Sequence, residues 1–329
     1  MTRIPFRRVC IVGGAGFIGS HLVGALLQER TVERLSVFDN LSSGRLWHLE
    51  GIREDPRLSV VIGDVEDTPK LTAAIQGHEH VIHLASNPDI AKAIIDPTVD
   101  YHQGTALTHA VLEAARLTGA RRVIYSSGSG VYGEVGEVEV AEDYGPLHPI
   151  STYGASKLAG EALMCAYCHM FDISGFALRF ANVVGPRQTH GVGYDFIRRL
   201  LKDPAELTIL GDGSQSKPYI HIDDVISAIR IVNDESDDIF ASYNVGPDDF
   251  VTVREIADLA VAEVVGPGQE VRYHFTGGDR GWKGDVPLVR LSTERLRGLG
   301  WKNQRTSRQA VADALGSIAI DARAGRLDG

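Results

Sequence analysis

Short apolar, β-branched runs recur through the first half of the chain, at residues 8–12, 35–38, 58–62, 80–84, 122–126 and 175–180. None alternates cleanly with polar residues, so each reads as a strand covered on both faces. Between them lie apolar residues at helical spacing. Residues 105–117 put Leu107, Val111, Ala114 and Leu117 on one face, and residues 155–171 behave alike. Strand and helix in alternation predict an α/β fold, a doubly wound parallel sheet whose ligand belongs at the carboxyl ends of the strands. After Asn182 the rhythm loosens. Gly and Pro punctuate at Gly185-Pro186, Gly246-Pro247 and Gly266-Pro267, and helical patterns recur at 194–201, 223–232, 252–264 and 307–320. These predict a smaller α/β lobe built from residues 182–219 and 247–329. The first domain is then residues 1–181, with a return to its sheet at about 220–246.

Composition narrows the function. With 329 residues, 43% hydrophobic and 23% charged, the chain has the make-up of a folded globular protein. No apolar run approaches the roughly 18 residues of a membrane span. A net charge of −10 has the wrong sign for a protein that lives on nucleic acid. The basic start, Met1 to Arg8, leads into a stretch too short and glycine-rich for a signal peptide. Three cysteines, Cys10, Cys165 and Cys168, make no disulfide framework, which points to a reducing, cytoplasmic setting. Cys165 and Cys168 lie mid-helix without a second pair, so they read as packing residues. His78, His80 and His83 straddle a loop and a strand and do not converge, and no metal is expected.

The strongest local signal follows the first strand. Gly13, Gly16 and Gly19 have the spacing of a phosphate-binding turn: Gly13 for the tight bend, Gly16 for close approach of a pyrophosphate, Gly19 for helix-on-strand packing. The helix that opens there offers its amino-terminal N–H groups to the phosphates. No Gly-Lys-Ser/Thr follows, which excludes a nucleotide triphosphatase loop. Asp39 ends the second strand twenty residues after Gly19, where a carboxylate holds the adenosine ribose hydroxyls. By itself Asp39 also reads as a turn residue before Asn40. Taken together the two features predict a dinucleotide site of the Rossmann type. The carboxylate repels a 2′-phosphate, which selects NAD over NADP, and Asp64 after the third strand is placed for the adenine edge.

Tyr153 and Lys157 stand four residues apart on one helical face, after the strand that ends in the serine-rich turn 126–130. An ammonium and a positive nicotinamide ring beside the phenol lower its pKa, so that it exchanges a proton with a substrate hydroxyl. Here the chain resembles the extended short-chain dehydrogenase/reductase family, and within it the UDP-glucose 4-epimerase branch of NAD-dependent epimerases and dehydratases. The matching pieces are Gly-Gly-Ala-Gly-Phe-Ile-Gly (13–19), Asp-Asn-Leu-Ser-Ser-Gly (39–44), Gly-Asp-Val (63–65), His-Leu-Ala-Ser (83–86), Val-Tyr-Gly (131–133), Tyr153 with Lys157, Arg-Phe-Ala-Asn-Val-Val-Gly-Pro-Arg (179–187), Gly-Asp-Gly-Ser-Gln (211–215), Tyr-Ile-His-Ile-Asp-Asp (219–224) and Gly284-Asp285. The resemblance implies a Rossmann domain with a substrate lobe and a bound NAD. Its contacts fall to Gly13, Gly16, Phe17, Ile18 and Gly19 at the phosphates, and to Asp39, Asn40, Ser43 and Gly44 at the ribose. Asp64 and Val65 follow at the adenine, then Leu84, Ala85, Ser86, Tyr153, Lys157 and Phe180 toward the nicotinamide. It further implies a UDP-sugar substrate inverted at C4 through a 4-keto intermediate, with Tyr153 as acid/base and Lys157 tuning it. Asn182 and Arg187, aided by Lys217 and Arg280, hold the diphosphate. A homodimer forms through segments 105–117 and 155–171.

The chain departs from that pattern in instructive places. Relatives carry a Ser or Thr three residues before the Val-Tyr, where this chain has Gly128, which leaves Ser127 or Ser129 to serve as the third catalytic hydroxyl or Tyr153 to act alone. The Asp-Glu pair of 4,6-dehydratases is Ser129-Gly130 here, which disfavours dehydration, and the Glu of decarboxylating relatives is absent. An Asn expected three residues before Gly104 is Tyr101, and an Arg expected at 217 is Lys217, which lacks the bidentate fork. Near Arg280 the register of the phosphate-binding Arg is ambiguous, and Trp282 reads either as a sugar platform or as core. His190 reads either as pocket lining or as a surface residue. Two alternatives to epimerisation stay open: another nucleotide-sugar reaction through the same 4-keto chemistry, and an NAD-binding regulatory protein that has lost catalysis.

Overall fold

The structure, a computed structural model, describes residues 4–87, 90–266, 269–278, 280, 286 and 288–327. Seven strands make one parallel sheet: β1 (Arg8–Val12), β2 (Arg34–Asp39), β3 (Leu58–Ile62), β4 (His80–His83), β5 (Arg122–Gly128), β6 (Ser174–Phe180) and β7 (Phe240–Val245), in the order β7-β6-β5-β4-β1-β2-β3. β1 pairs with β2 on one side, Val9 opposite Leu35, and with β4 on the other, Val9 opposite His80. The order therefore reverses at β1, and a ligand crevice opens there at the carboxyl edge.

Burial explains why these runs are strands. Val9–Val12 in β1 and all seven residues of β6 are buried, as expected of strands roofed on both faces. On one face α1 (Phe17–Leu27) supplies Leu22, Val23 and Leu26. On the other, α2 (Thr68–Ile75), α3 (Leu107–Thr118) and α4 (Thr152–Met170) supply Leu71, Val111 and Met164. Each such side chain contributes about 1.5–3 kcal/mol by leaving water. Later in the chain come α5 (Val192–Lys202), α6 (Ile222–Glu235), α7 (Val253–Val264) and α8 (Ser307–Arg323). α6 joins α1 on its face through Val225 and Ile229. α5, α7 and α8 enclose a separate apolar cluster with Phe196, Ile197, Ile256, Leu315 and Ile318. Capping boxes at Thr252 with Glu255 and at Thr306 with Gln309 start α7 and α8.

Two helices differ from their sequence patterns at the start. The 155–171 pattern begins at Thr152, because Ser151 accepts a hydrogen bond from the Gly154 nitrogen (3.0 Å) and caps the turn that carries Tyr153. The 105–117 pattern begins as a π-helix, Tyr101–Ala106, before α3 takes over. Gly104 lies there against α4: a Cβ on it would stand 2.4 Å from the Ser156 hydroxyl oxygen.

Candidate active site

The turn from β1 into α1 is built for close approach. Gly13 has φ +85°, and a Cβ on it would lie 2.6 Å from the Ala85 nitrogen. A Cβ on Gly19 would lie 2.3 Å from the Gly13 carbonyl oxygen. Gly16 is the N-cap, with extended backbone and no side chain to occupy the first N–H groups, and the first turn has no acidic residue. Those donors and the positive helix end thus face the crevice, the arrangement a pyrophosphate needs. Asp39 closes the far side. Its carboxylate accepts from the Ala15 nitrogen (2.9 Å) and the Leu41 nitrogen (2.8 Å). Burial raises its pKa, against backbone hydrogen bonds that lower it. Each oxygen keeps a second acceptor position for a ribose hydroxyl. Asn40 donates to Asp64 (2.8 Å), and backbone N–H of Glu66 together with Asn40 holds the Asp64 carboxyl below its usual range.

From this turn a cleft of about 1300 Å³ runs past the ends of β4 and β5 to α5 and the strand pair around residue 219. Its chemical end carries Tyr153 and Lys157. Lys157 is buried, its ammonium donating to the Ser126 carbonyl (2.7 Å) and standing 5.4 Å from the Tyr153 ring centre and 5.1 Å from that of Tyr125. Burial pushes the Lys157 pKa down to about 7, while the carboxylates of Asp100 and Glu161 pull it back up. Burial likewise raises the Tyr153 phenol to about 12, so lowering it toward neutrality requires positive charge beyond Lys157. The Ser86 side chain works in that downward direction. Asp100, missed in the sequence, is buried at the foot of this pair and accepts from Asn87 (2.9 Å) and Thr152 (2.7 Å).

The serines of the turn divide by partner. Ser126 donates to the His83 carbonyl (3.2 Å). Ser127 donates to Glu161 (2.5 Å), which is locked in a buried ion pair with Arg179 (2.7 Å), and Arg179 in turn donates to Tyr132 (2.8 Å). That commitment turns the Ser127 hydroxyl toward a structural network under the cleft instead of toward Tyr153. Ser129 opens a 3-10 turn, Ser129–Val131, and lines the cleft. Gly128 has room for a side chain, since a Cβ there would meet only the Phe180 carbonyl at 3.9 Å.

On the substrate side the expected cations separate. Asn182 and Lys217 line the cleft, Asn182 bonded to the Pro218 carbonyl (3.2 Å). Arg187 is not in the lining. It adopts φ +63° and donates to the Ser20 hydroxyl of α1 (3.4 Å). Arg280 forms an ion pair with Glu134 (2.5 Å). Trp282 and Gly284-Asp285 lie outside the described residues. That side of the cleft is instead lined by the twin Arg198 and Arg199 of α5 and by His190, while Arg45 lines it at the Gly44 loop beside Asp39. Nothing in the sequence marked those arginines beyond adjacent cations on an amphipathic helix.

A glycine cradle, a ribose carboxylate and a phenol–ammonium pair along one crevice fit a dinucleotide and a second, anionic ligand, and the comparisons agree. Residues 9–246 match the profile described as the NAD dependent epimerase/dehydratase family, and the chain belongs to that family, whose cofactor is NAD. The chain is 33% identical over 313 residues to a UDP-glucose 4-epimerase of Mycolicibacterium smegmatis, covering 93% of this chain and 96% of that one. Among solved structures, a UDP-galactose 4-epimerase superposes with a TM-score of 0.83 at 36% identity, over 95% of this chain and 99% of the other. A double mutant of dTDP-glucose 4,6-dehydratase from Streptomyces venezuelae, with NAD bound, gives a TM-score of 0.86 at 26% identity, over 97% and 98%.

Proposed function

We propose that the protein is a 4-epimerase of a UDP-sugar of the glucose, N-acetylhexosamine or glucuronate type, with residues 1–181 and about 220–246 holding NAD and the remainder forming the sugar lobe. The observation that carries this is the Tyr153–Lys157 pair at the carboxyl edge, facing the cleft with no carboxylic acid in the Ser129-Gly130 turn. Gly13, Gly16, Gly19 and Asp39 would hold NAD, which when bound would supply a reversible hydride acceptor at the sugar C4. Tyr153 removes the proton from the C4 hydroxyl and returns it after the sugar has presented its other face. Lys157 holds positive charge beneath the phenol, anchored on the Ser126 carbonyl. Asn182 and Lys217 bind the diphosphate, with Arg198 and Arg199 at the lobe side of the cleft. A 4,6-dehydratase needs an acid and a base at C6, and Ser129 and Gly130 supply neither. The active form is a cytoplasmic homodimer joined through α3 and α4, whose outer ends expose Leu117, Met170 and Phe171.

Tyr153→Phe is the test against an NAD-binding regulatory role. Turnover of UDP-sugars falls at least about 10³-fold with NAD affinity kept. A variant with wild-type turnover overturns the reading.

A further inference from the structure

The turn between β1 and α1 is held from behind by a side chain outside the glycine motif. Ala15 lies at the middle of that turn and is fully buried. Its nitrogen donates to Asp39 (2.9 Å), and its carbonyl accepts from the Arg45 nitrogen (3.0 Å) and from the His48 ring nitrogen Nδ1 (2.8 Å). His48 belongs to a 3-10 turn, Leu46–Leu49, and is 1% exposed. The next residue, Leu49, is buried in the same core as Leu22 and Leu26 of α1, so a fixed element delivers the imidazole. Burial keeps that ring neutral, with its pKa pushed down to about 4. A carbonyl accepts and never donates, so Nδ1 carries the single ring proton. Nε2 is then a bare acceptor, and among the described residues it has no hydrogen-bond partner.

The bond bears on the dinucleotide because the Ala15 carbonyl and the Gly16 N–H belong to one peptide plane. In a trans peptide the two point in opposite directions. With the carbonyl drawn to His48, the Gly16 N–H donates to the Gly13 carbonyl (3.2 Å) and closes the turn. Gly16 is also the N-cap of α1. The tilt of this plane therefore sets where the first N–H groups of the helix aim, those of Phe17 and Ile18, and both residues line the cleft. We propose that His48 is a positioning residue of the dinucleotide site, its Nδ1–H fixing the Ala15–Gly16 peptide so that the start of α1 is pre-organised for a pyrophosphate. His48 itself does not line the cleft and acts through this peptide. The assignment depends on the NAD site and not on which reaction follows.

Three substitutions separate the hydrogen bond from packing. An Asn side chain carries its amide nitrogen near the place of Nδ1, a Gln side chain near that of Nε2, and a Leu side chain fills the volume with no donor. Calorimetric titration of the full chain with NAD is expected to leave His48→Asn within about threefold of wild-type affinity and to weaken His48→Gln and His48→Leu about tenfold. ADP-ribose, which keeps the pyrophosphate and lacks the nicotinamide, loses the same factor. A packing role instead places His48→Leu nearest wild type. His48→Leu as tight as wild type, or His48→Asn as weak as His48→Leu, overturns the assignment, and so does an ADP-ribose affinity that His48→Leu leaves unmoved. The second measurement uses the wild-type chain. With 15N-labelled histidine, and the His48 signals assigned by their loss in His48→Asn, the ring shifts at neutral pH place the proton on Nδ1 both with and without NAD. A proton on Nε2 removes the bond to Ala15 and overturns the assignment whatever the variants do.

Discussion

Asp39 is engaged before any ligand arrives, gathering the Ala15 and Leu41 nitrogens and packing against Gly44, where an added Cβ would sit 2.7 Å from a carboxylate oxygen. It thus shapes the loop and carries the charge that excludes a 2′-phosphate. Asp39→Asn loses the charge and keeps an acceptor for only one of the two backbone donors, since Ala15 and Leu41 bond different carboxylate oxygens. NAD affinity is expected to fall about tenfold, and the preference for NAD over NADP to narrow further still. Calorimetric titration with both dinucleotides measures it. A variant whose NAD-to-NADP ratio matches wild type would show that charge at Asp39 does not set the choice.

Elements built from local signals were the legible part. The spacing of Gly13, Gly16 and Gly19 and the unalternated runs needed only neighbouring residues to be read, and the seven-stranded parallel sheet follows the runs closely. The long-range parts were not legible. Arg187 follows a Gly-Pro turn in a family motif, yet its guanidinium reaches the Ser20 hydroxyl of α1 and does not line the cleft. No motif in the sequence marks Asp100. The π-helix after it and the Thr152 hydroxyl bury it beneath the Tyr153–Lys157 pair. Its negative charge holds the proton on both groups more tightly. In Asp100→Asn both groups therefore release their protons at lower pH. The limbs of the kcat/KM profile of the NAD-loaded protein move acidward by about half to one unit. Unmoved limbs under a lower maximum would reduce Asp100 to a structural prop.

At the scale of the whole molecule, buried histidines link stability to pH. Burial pushes His83 down to about 3 and His48 and His80 down to about 4, and all three are almost fully buried. The unfolded chain binds protons near pH 6.5, the native chain only near those lower values. Their contribution is therefore full above about pH 6.5 and is lost as pH falls toward 4, each group giving up to about 1.4 kcal/mol per pH unit. Urea unfolding at pH 7, 6 and 5 should show a steep decline below 6 that is shallower in His80→Gln. A flat profile across that range would mean these imidazoles protonate inside the fold.

The central claim, inversion at C4 by removal and return of the same hydrogen, is tested most directly by proton NMR in D2O. UDP-glucose, UDP-N-acetylglucosamine and UDP-glucuronate are each incubated with the NAD-loaded protein. The account predicts a new anomeric signal from the 4-epimer of at least one of them, with no deuterium at C4 and no net NADH. Deuterium entering C4, loss of the C6 hydroxyl, or silence on all three would contradict it.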